Sequence, residues 1–220
     1  MTSLFSDSDA KRISTAIQTA EDRTSGEIVA VVAPESASYV SAPILWAALI
    51  ALFVPWPLIH YTWWTMQWVQ SLQILVFAVL AVLGLLIRPL RFMLVPASVK
   101  RQRAHRRAVE QFLVQNLHTT ATRTGVLVFV SLAERYAEIV ADAGIHKKVP
   151  EATWKAIVDD LTARIGEGRP ADGFVAAIGA IGQQLAHHFP ADAHVKHVLP
   201  NHLIVLGGGD RDWRGARHRT

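Results

Sequence analysis

SASYVSAPILWAALIALFVPWPLIHYTWWTMQWVQSLQILVFAVLAVLGLLI, residues 36–87, contains no Asp, Glu, Lys or Arg. Two apolar runs inside it, Ala42–Ile59 and Val69–Ile87, are 18 and 19 residues long. At 1.5 Å per residue each helix reaches about 27 Å, close to the hydrocarbon thickness of a bilayer. Pro55 and Pro57 are expected to kink or shorten the far end of the first helix. The connection carries His60, Tyr61, Trp63, Trp64 and Trp68, the composition of an interfacial aromatic belt. A buried hairpin in a soluble core would present a polar face on its outer side, and none exists here. The stretch therefore reads as a two-helix transmembrane hairpin, residues 42–87.

The flanks set its orientation. Arg88, Arg91, Lys100, Arg101, Arg103, Arg106 and Arg107 follow the second span with no acid until Glu110. Without those seven, 15 basic residues stand against 18 acidic ones, so the net charge of +4 has a local origin. A nucleic-acid binder would carry its basic face on the folded domain, and no nucleic-acid partner is expected. Basic residues directly after a span obey the positive-inside rule and attract anionic lipid headgroups. The expected membrane interface is Trp63, Trp64 and Trp68 on one side and Arg88, Arg91, Lys100, Arg101 and Arg103 on the other. Both termini and the folded domain are expected in the cytoplasm, anchored to the inner membrane by two spans. The polar start (Thr2, Ser3, Ser6, Asp7) has no apolar core of a cleavable signal. The absence of cysteine excludes disulfides, thiolate nucleophiles and cysteine metal sites.

The remainder alternates charged and apolar residues as a water-soluble domain does. Ser6 and Asp9 fit a capping box, with Phe5 and Ala10 at the staple positions and Ile13, Ile17 and Ala20 at helical spacing. EIVAVVA (27–33) and GVLVFV (125–130) are short, β-branched and apolar throughout, as strands covered on both faces must be. YAEIVA (136–141) follows a tight polar turn and reads as a hairpin partner. Between them lies an amphipathic helix whose apolar side is read as Ala108, Val109, Phe112, Leu113 and Leu117. Pro150 and Glu151 open a helix carrying Trp154, Ile157, Val158, Leu161 and Ile165. The next helix carries Phe174, Ile178, Ile181 and Leu185, with Gly173, Gly179 and Gly182 permitting close packing. Leu203–Leu206 adds an edge strand, and residues 207–220 read as a flexible basic tail. The fold class is α/β: a small mixed sheet covered by helices and interrupted by its own membrane hairpin. Residues 1–35 and 97–206 are read as the two parts of one domain, because neither is large enough to fold well alone.

This order of elements, with GVLVFVSLAERYAEIVADAGI, PEATWKAIVDDL and ADGFVAAIGAIGQQLAHHFP, resembles the TPM domain family over about Ser6–Ala33 and Ala104–Phe189. It looks closest to a bacterial membrane branch in which two spans interrupt the domain and a segment like LPNHLIVL follows. The resemblance implies an α/β sandwich. It also implies, from some members, acid phosphatase activity or calcium binding. Where the family tends to place an acid before the last helix, Arg169 stands in Gly168-Arg169-Pro170-Ala171-Asp172-Gly173. Glu151 falls near a position where the family often has aspartate.

Asp142, Glu151 and Asp172 are the carboxylates for a divalent metal, which requires several converging oxygens; no EF-hand spacing is present. His187, His188, His194, His197 and His202 crowd the C-terminal end, but Pro190 and Pro200 flank the His194–His197 pair, and no HExxH frame exists. Glu35, Ser36 and Ser131 follow strand ends, where open α/β sheets hold ligands, and the first strand's run into the hairpin is expected to turn that edge toward the bilayer. There is no GxSxG elbow, Walker loop or GxGxxG. No cofactor is firmly implied, calcium entering by resemblance alone. The expected function is a non-enzymatic interaction or assembly module at the cytoplasmic membrane surface, whose partner is another membrane or membrane-associated protein. The alternatives are a phosphatase-like hydrolase and a structural subunit of a membrane complex.

Overall fold

The computed structural model describes residues 5–37, 39–120, 123–192 and 202–206, with the backbone alone at 88 and 90. The tail at 207–220 and the His194–His197 pair lie outside the described residues. In chain order the elements are α1 (Asp7–Glu21), β1 (Glu27–Ala33), α2 (Ser41–Phe53), α3 (Pro55–Tyr61), α4 (Met66–Leu86), α5 (Arg88–Met93) and α6 (Ala97–Val114). A 3-10 turn at Leu117–Thr119 leads to β2 (Gly125–Ser131) and β3 (Tyr136–Ala141). Then come α7 (Ala143–His146), α8 (Glu151–Gly166), α9 (Pro170–His188) and β4 (Ile204–Val205). The chain divides into two units, one of Met1–Ser36 with Arg101–Thr220, the other of Ala37–Lys100.

In the first unit the strands stand in the order β3-β2-β1-β4. β1 and β2 are parallel, registered from Glu27 opposite Gly125 to Ala33 opposite Ser131. β3 returns antiparallel to β2, and β4 adds a short parallel edge to β1. All seven residues of β1 and all seven of β2 are buried, as sheets covered on both faces require. One face carries Ile28, Ala30, Val32, Val126, Val128 and Val130 against α1, α8 and α9. The opposite face carries Val29, Val31, Leu127 and Phe129 against Ala108 and Phe112 of α6 and Leu117. The mixed α/β sheet covered by helices is thus borne out.

Local signals act as expected at the N-terminus. Asp9 N–H donates to Ser6 Oγ (3.1 Å) and Ser6 N–H donates to Asp9 Oδ2 (3.2 Å), closing the capping box. The Ser6 hydroxyl, which donates to the same carboxylate at 2.7 Å, and then the Ser6 N–H hold the Asp9 carboxyl below its usual range. Phe5 packs edge-on against Phe174 of α9, with ring centroids 5.9 Å apart, so the residue before the cap also ties α1 to its neighbour.

Two expectations about helix faces need correction. α6 buries Ala104, Ala108, Gln111 and Phe112, while Val109, Leu113 and Val114 are exposed. The helix is apolar on more than one arc of its last turns, and its phase follows the small residues that let it lie against the sheet. In α9, Gly173 and Gly182 do permit close packing, but Gly179 does not. A Cβ on Gly182 would lie 2.6 Å from the Ala20 Cβ, whereas one on Gly179 would meet nothing within 4 Å.

In the second unit Ser41–Tyr61 and Met66–Leu86 are helical, each long and apolar enough to cross a membrane. The first is interrupted at Val54, directly before Pro55, the break that its prolines predict. The two meet through small or compact residues: Pro43, Ala47 and Ala51 of α2, Val69 and Gly84 of α4. Their other faces are open, with Leu52, Phe53, Ile74 and Leu75 all exposed. Trp46 Nε1 donates to the Leu94 carbonyl (3.2 Å), and the buried Tyr39 ring meets Phe92 edge-on.

Candidate functional site

The parallel pair ends at Ala33 and Ser131, and hydrogen bonds carry the pairing one step further. Leu132 N–H donates to the Ala33 carbonyl (3.1 Å) and Ala133 N–H to that of Pro34 (3.0 Å). The turn into β3 then closes with Arg135 in the left-handed region (φ 49°) and its N–H on the Leu132 carbonyl. This geometry brings Glu134 back over the strand ends. Its carboxylate accepts the Ser36 N–H at 3.0 and 3.2 Å and also the Ser131 hydroxyl. Ser36 Oγ donates to Ser131 Oγ at 2.7 Å. An ionised carboxylate only accepts, so the hydroxyl protons order as Ser36 to Ser131 to Glu134. Ser131 is fully buried and Ser36 half-buried. Glu35, also half-buried, lies one residue before the cluster.

The cluster joins two of the three residues read as a ligand cleft and adds Glu134, which the sequence reading missed. The only signal in the sequence was the three-residue spacing of Ser131 and Glu134, short enough for the hydroxyl to reach the carboxylate once the turn closes. Chemically the arrangement is a short hydroxyl relay ending on a carboxylate. It has no histidine or lysine to take a proton from Ser36, and it fastens the exit of β1 to the β2–β3 turn. Charge-assisted bonds of this kind contribute about 1.5–3 kcal/mol, and unpartnered buried donors cost about as much. Glu134→Ala should therefore lower the unfolding free energy of the detergent-solubilised chain by about 1–3 kcal/mol, read from chaotrope titration. Glu134→Gln should cost less, because the amide oxygen still accepts one donor.

The carboxylates read as metal candidates are placed apart. Asp142 caps α7, accepting from Ala143 N–H at 2.6 Å, with Arg123 at 3.7 Å, and its own N–H bonds Gly125 at the start of β2. Glu151 is exposed on the first turn of α8. Asp172 lines a cleft with Leu132, beyond the other end of β2, and accepts from Arg12 at 2.6 Å. Seven strand residues at about 3.3 Å each put about 20 Å between the two ends. That bond to Asp172 raises the Arg12 pKa still further. Arg169 pairs with Glu167 and lines the same cleft as Asp172. Among the described residues no group of three His, Cys, Asp or Glu gathers as metal ligands do.

A second polar cluster, also missed, occupies the α6 face. His105 Nδ1 lies 2.9 Å from Glu138 Oε1, and the Tyr136 hydroxyl donates to Glu138 Oε2 at 2.9 Å. Strand alternation puts residues 136 and 138 on one side. Burial, then the Glu138 charge, pushes the Tyr136 phenol well above its usual range, so it remains a neutral donor. His187 and His188 stack edge-on in the last turn of α9, and Lys148 stands over the Phe189 ring.

The residues read as a membrane interface lie around the hairpin turn, on α5 and on the first half of α6. Trp63, Trp64 and Trp68 are exposed around the hairpin turn, Trp63 completely, and Arg91 Nη2 donates to the Leu85 carbonyl. The Arg88 side chain lies outside the described residues. Lys100, Arg101 and Arg103 occupy the first half of α6, Arg101 exposed and the other two half-buried.

Comparison with known proteins adds two likenesses. The family model described as TPM domain matches residues 89–184. That segment begins after the hairpin, so α1 and β1 lie outside it although they share its sheet and core. Among solved structures, the NMR structure of the BA42 protein from the psychrophilic bacterium Bizionia argentinensis is similar, with a TM-score of 0.59. Identity is 18%, over 93% of this chain and 97% of that one, a likeness of fold. No curated protein matches the chain.

Proposed function

The chain carries a TPM domain, and on that premise we propose that it is a membrane-anchored interaction or assembly module at the cytoplasmic face of the inner membrane. The observation that carries this reading is the outward face of the hairpin helices. Only 17% of the residues in the apolar window of Ser41–Tyr61 and 11% of those in Met66–Leu86 are buried. A soluble chain does not leave so large an apolar surface to water, and lipid is the solvent that fits it. The cluster of basic residues after the second span and their absence from the tryptophan-rich turn favour a cytoplasmic domain, with anionic headgroups near Lys100, Arg101 and Arg103.

The polar groups of the domain support contact rather than chemistry. The Ser36–Ser131–Glu134 relay directs its donors inward, and Asp142, Glu151 and Asp172 are held separately by a cap, solvent and Arg12. The test is crosslinking of the full-length chain in native membranes, run beside a calcium-dependent phosphate-release assay on the same protein. Capture of one membrane or membrane-associated protein in stoichiometric amount is the expected result. Calcium-dependent phosphate release that Asp142→Asn or Asp172→Asn abolishes would replace the module with the phosphatase-like hydrolase.

A further inference from the structure

The outer side of α1 and α9 carries an open groove of about 800 Å³, separate from the serine–glutamate cluster. Arg12 meets Asp172 near the start of both helices and Ala20 meets Gly182 near their ends, so the two run in the same direction. The floor is made of Ala16, Ala20, Gly179 and Gly182. Gly182 has an internal reason, since a side chain there would strike Ala20. Gly179 has none. It is exposed, nothing lies within 4 Å of where its Cβ would stand, and glycine is unfavourable within a helix. An occupant approaching the backbone of α9 would supply the missing reason.

Charge defines that occupant. Lys11, Arg12 and Arg23 line the groove, and among the described residues no carboxylate does. Lys11 and Arg23 are exposed and enter no ion pair among the described residues. Arg12 stands on α1, and Arg23 stands in the turn that closes just beyond the end of α1, its N–H on the Ala20 carbonyl, so the two cations are about 17 Å apart along the chain's rise. Two acids eleven residues apart on a second helix fall on nearly the same side and span the same distance. The shallow floor of alanine and glycine runs along the helix axes and lets another backbone come close.

We infer that this groove receives an acidic helix of a partner protein, its carboxylates at the Lys11/Arg12 end and at Arg23. The inference rests on the interaction-module reading and names the surface and the partner's chemistry. The probe is a fluorescein-labelled, alanine-rich helical peptide of about 18 residues with glutamates eleven positions apart, added to the full-length chain in phosphatidylcholine nanodiscs. A matched peptide carries lysines in their place. Saturable binding of the glutamate peptide alone is expected. It should weaken about tenfold or more in Lys11→Glu/Arg23→Glu, which exchanges two attractions for two repulsions. Gly179→Leu should weaken it at least as much while leaving the unfolding transition intact, because the new side chain enters free space.

Equal binding of the two peptides, binding of neither, or indifference to Gly179→Leu overturns the inference. So does binding of phosphatidylglycerol vesicles that Gly179→Leu removes in the absence of peptide binding, which would make the occupant a lipid. Self-association lost in Gly179→Leu would make it a second copy and equally overturn the partner helix. Capture of the same membrane protein by wild type and Gly179→Leu chains would overturn the groove and leave the module reading standing.

Discussion

A fragment that begins at Arg101 and keeps everything after it should fail to fold. It would retain β2, β3, α8 and α9 but lose β1, the strand that pairs with β2 along seven residues. Ile13, Ile17, Ile28, Val29, Val31 and Val32 are each at most 2% exposed and all lie before the hairpin. Burial of a Val or Ile side chain contributes about 1.5–3 kcal/mol. Six of them together equal or exceed the whole stability of an ordinary domain, about 5–15 kcal/mol. The fragment would also expose the unpaired edge of β2, a template for aggregation. Far-UV circular dichroism and urea titration of the fragment should show no cooperative transition, and co-expression with residues 1–36 should restore one. A sharp cooperative unfolding of the fragment alone would contradict the single sheet built from both sides of the hairpin.

Replacing Ala37–Lys100 with a flexible Gly/Ser linker should move the protein from the membrane pellet to the soluble fraction, folded. The two units are each compact, and the sheet and both of its apolar faces belong to the first. The hairpin supplies a different quantity: two apolar helices whose transfer from lipid to water is strongly unfavourable. Carbonate washing of membranes separates the cases. The native chain should remain in the pellet and the linker chain should leave it almost completely. Retention of the linker chain at high pH and high salt would show that the anchoring lies in the domain itself and would sink the membrane hairpin. Release by salt alone would be consistent with a residual attraction of Lys100-proximal cations, such as Arg101 and Arg103, to anionic lipid.

The elements whose physics is local were legible before any coordinates. EIVAVVA and GVLVFV became β1 and β2 because short apolar runs rich in β-branched residues and bounded by Gly, Pro and Ser fit strands covered on both sides. The α1 cap was legible because Ser6 and Asp9 satisfy each other across three residues. Helix phase was less so. Val109 and Leu113 are as apolar as Phe112, and hydrophobic periodicity alone does not say which arc of α6 meets Leu127 and Phe129. Gly179 and Gly182 likewise look equivalent in the sequence, yet only Gly182 touches Ala20.

The candidate site divides along the same line. Ser36 and Ser131 could be placed at strand ends from the order of elements, since the carboxyl edge of a parallel pair follows from chain direction. That Glu134 binds both could not, because a bond across 98 residues depends on how the turn after β2 folds back. Arg12 and Asp172 are 160 residues apart and meet only because α1 and α9 pack side by side. The sequence by itself determined the two long apolar helices, the apolar strands and the charged remainder, all consequences of composition within a few turns of chain. The tertiary structure decided which polar groups neutralise one another and which helix face stays open, since ion pairs and close approaches depend on distances that no local pattern encodes.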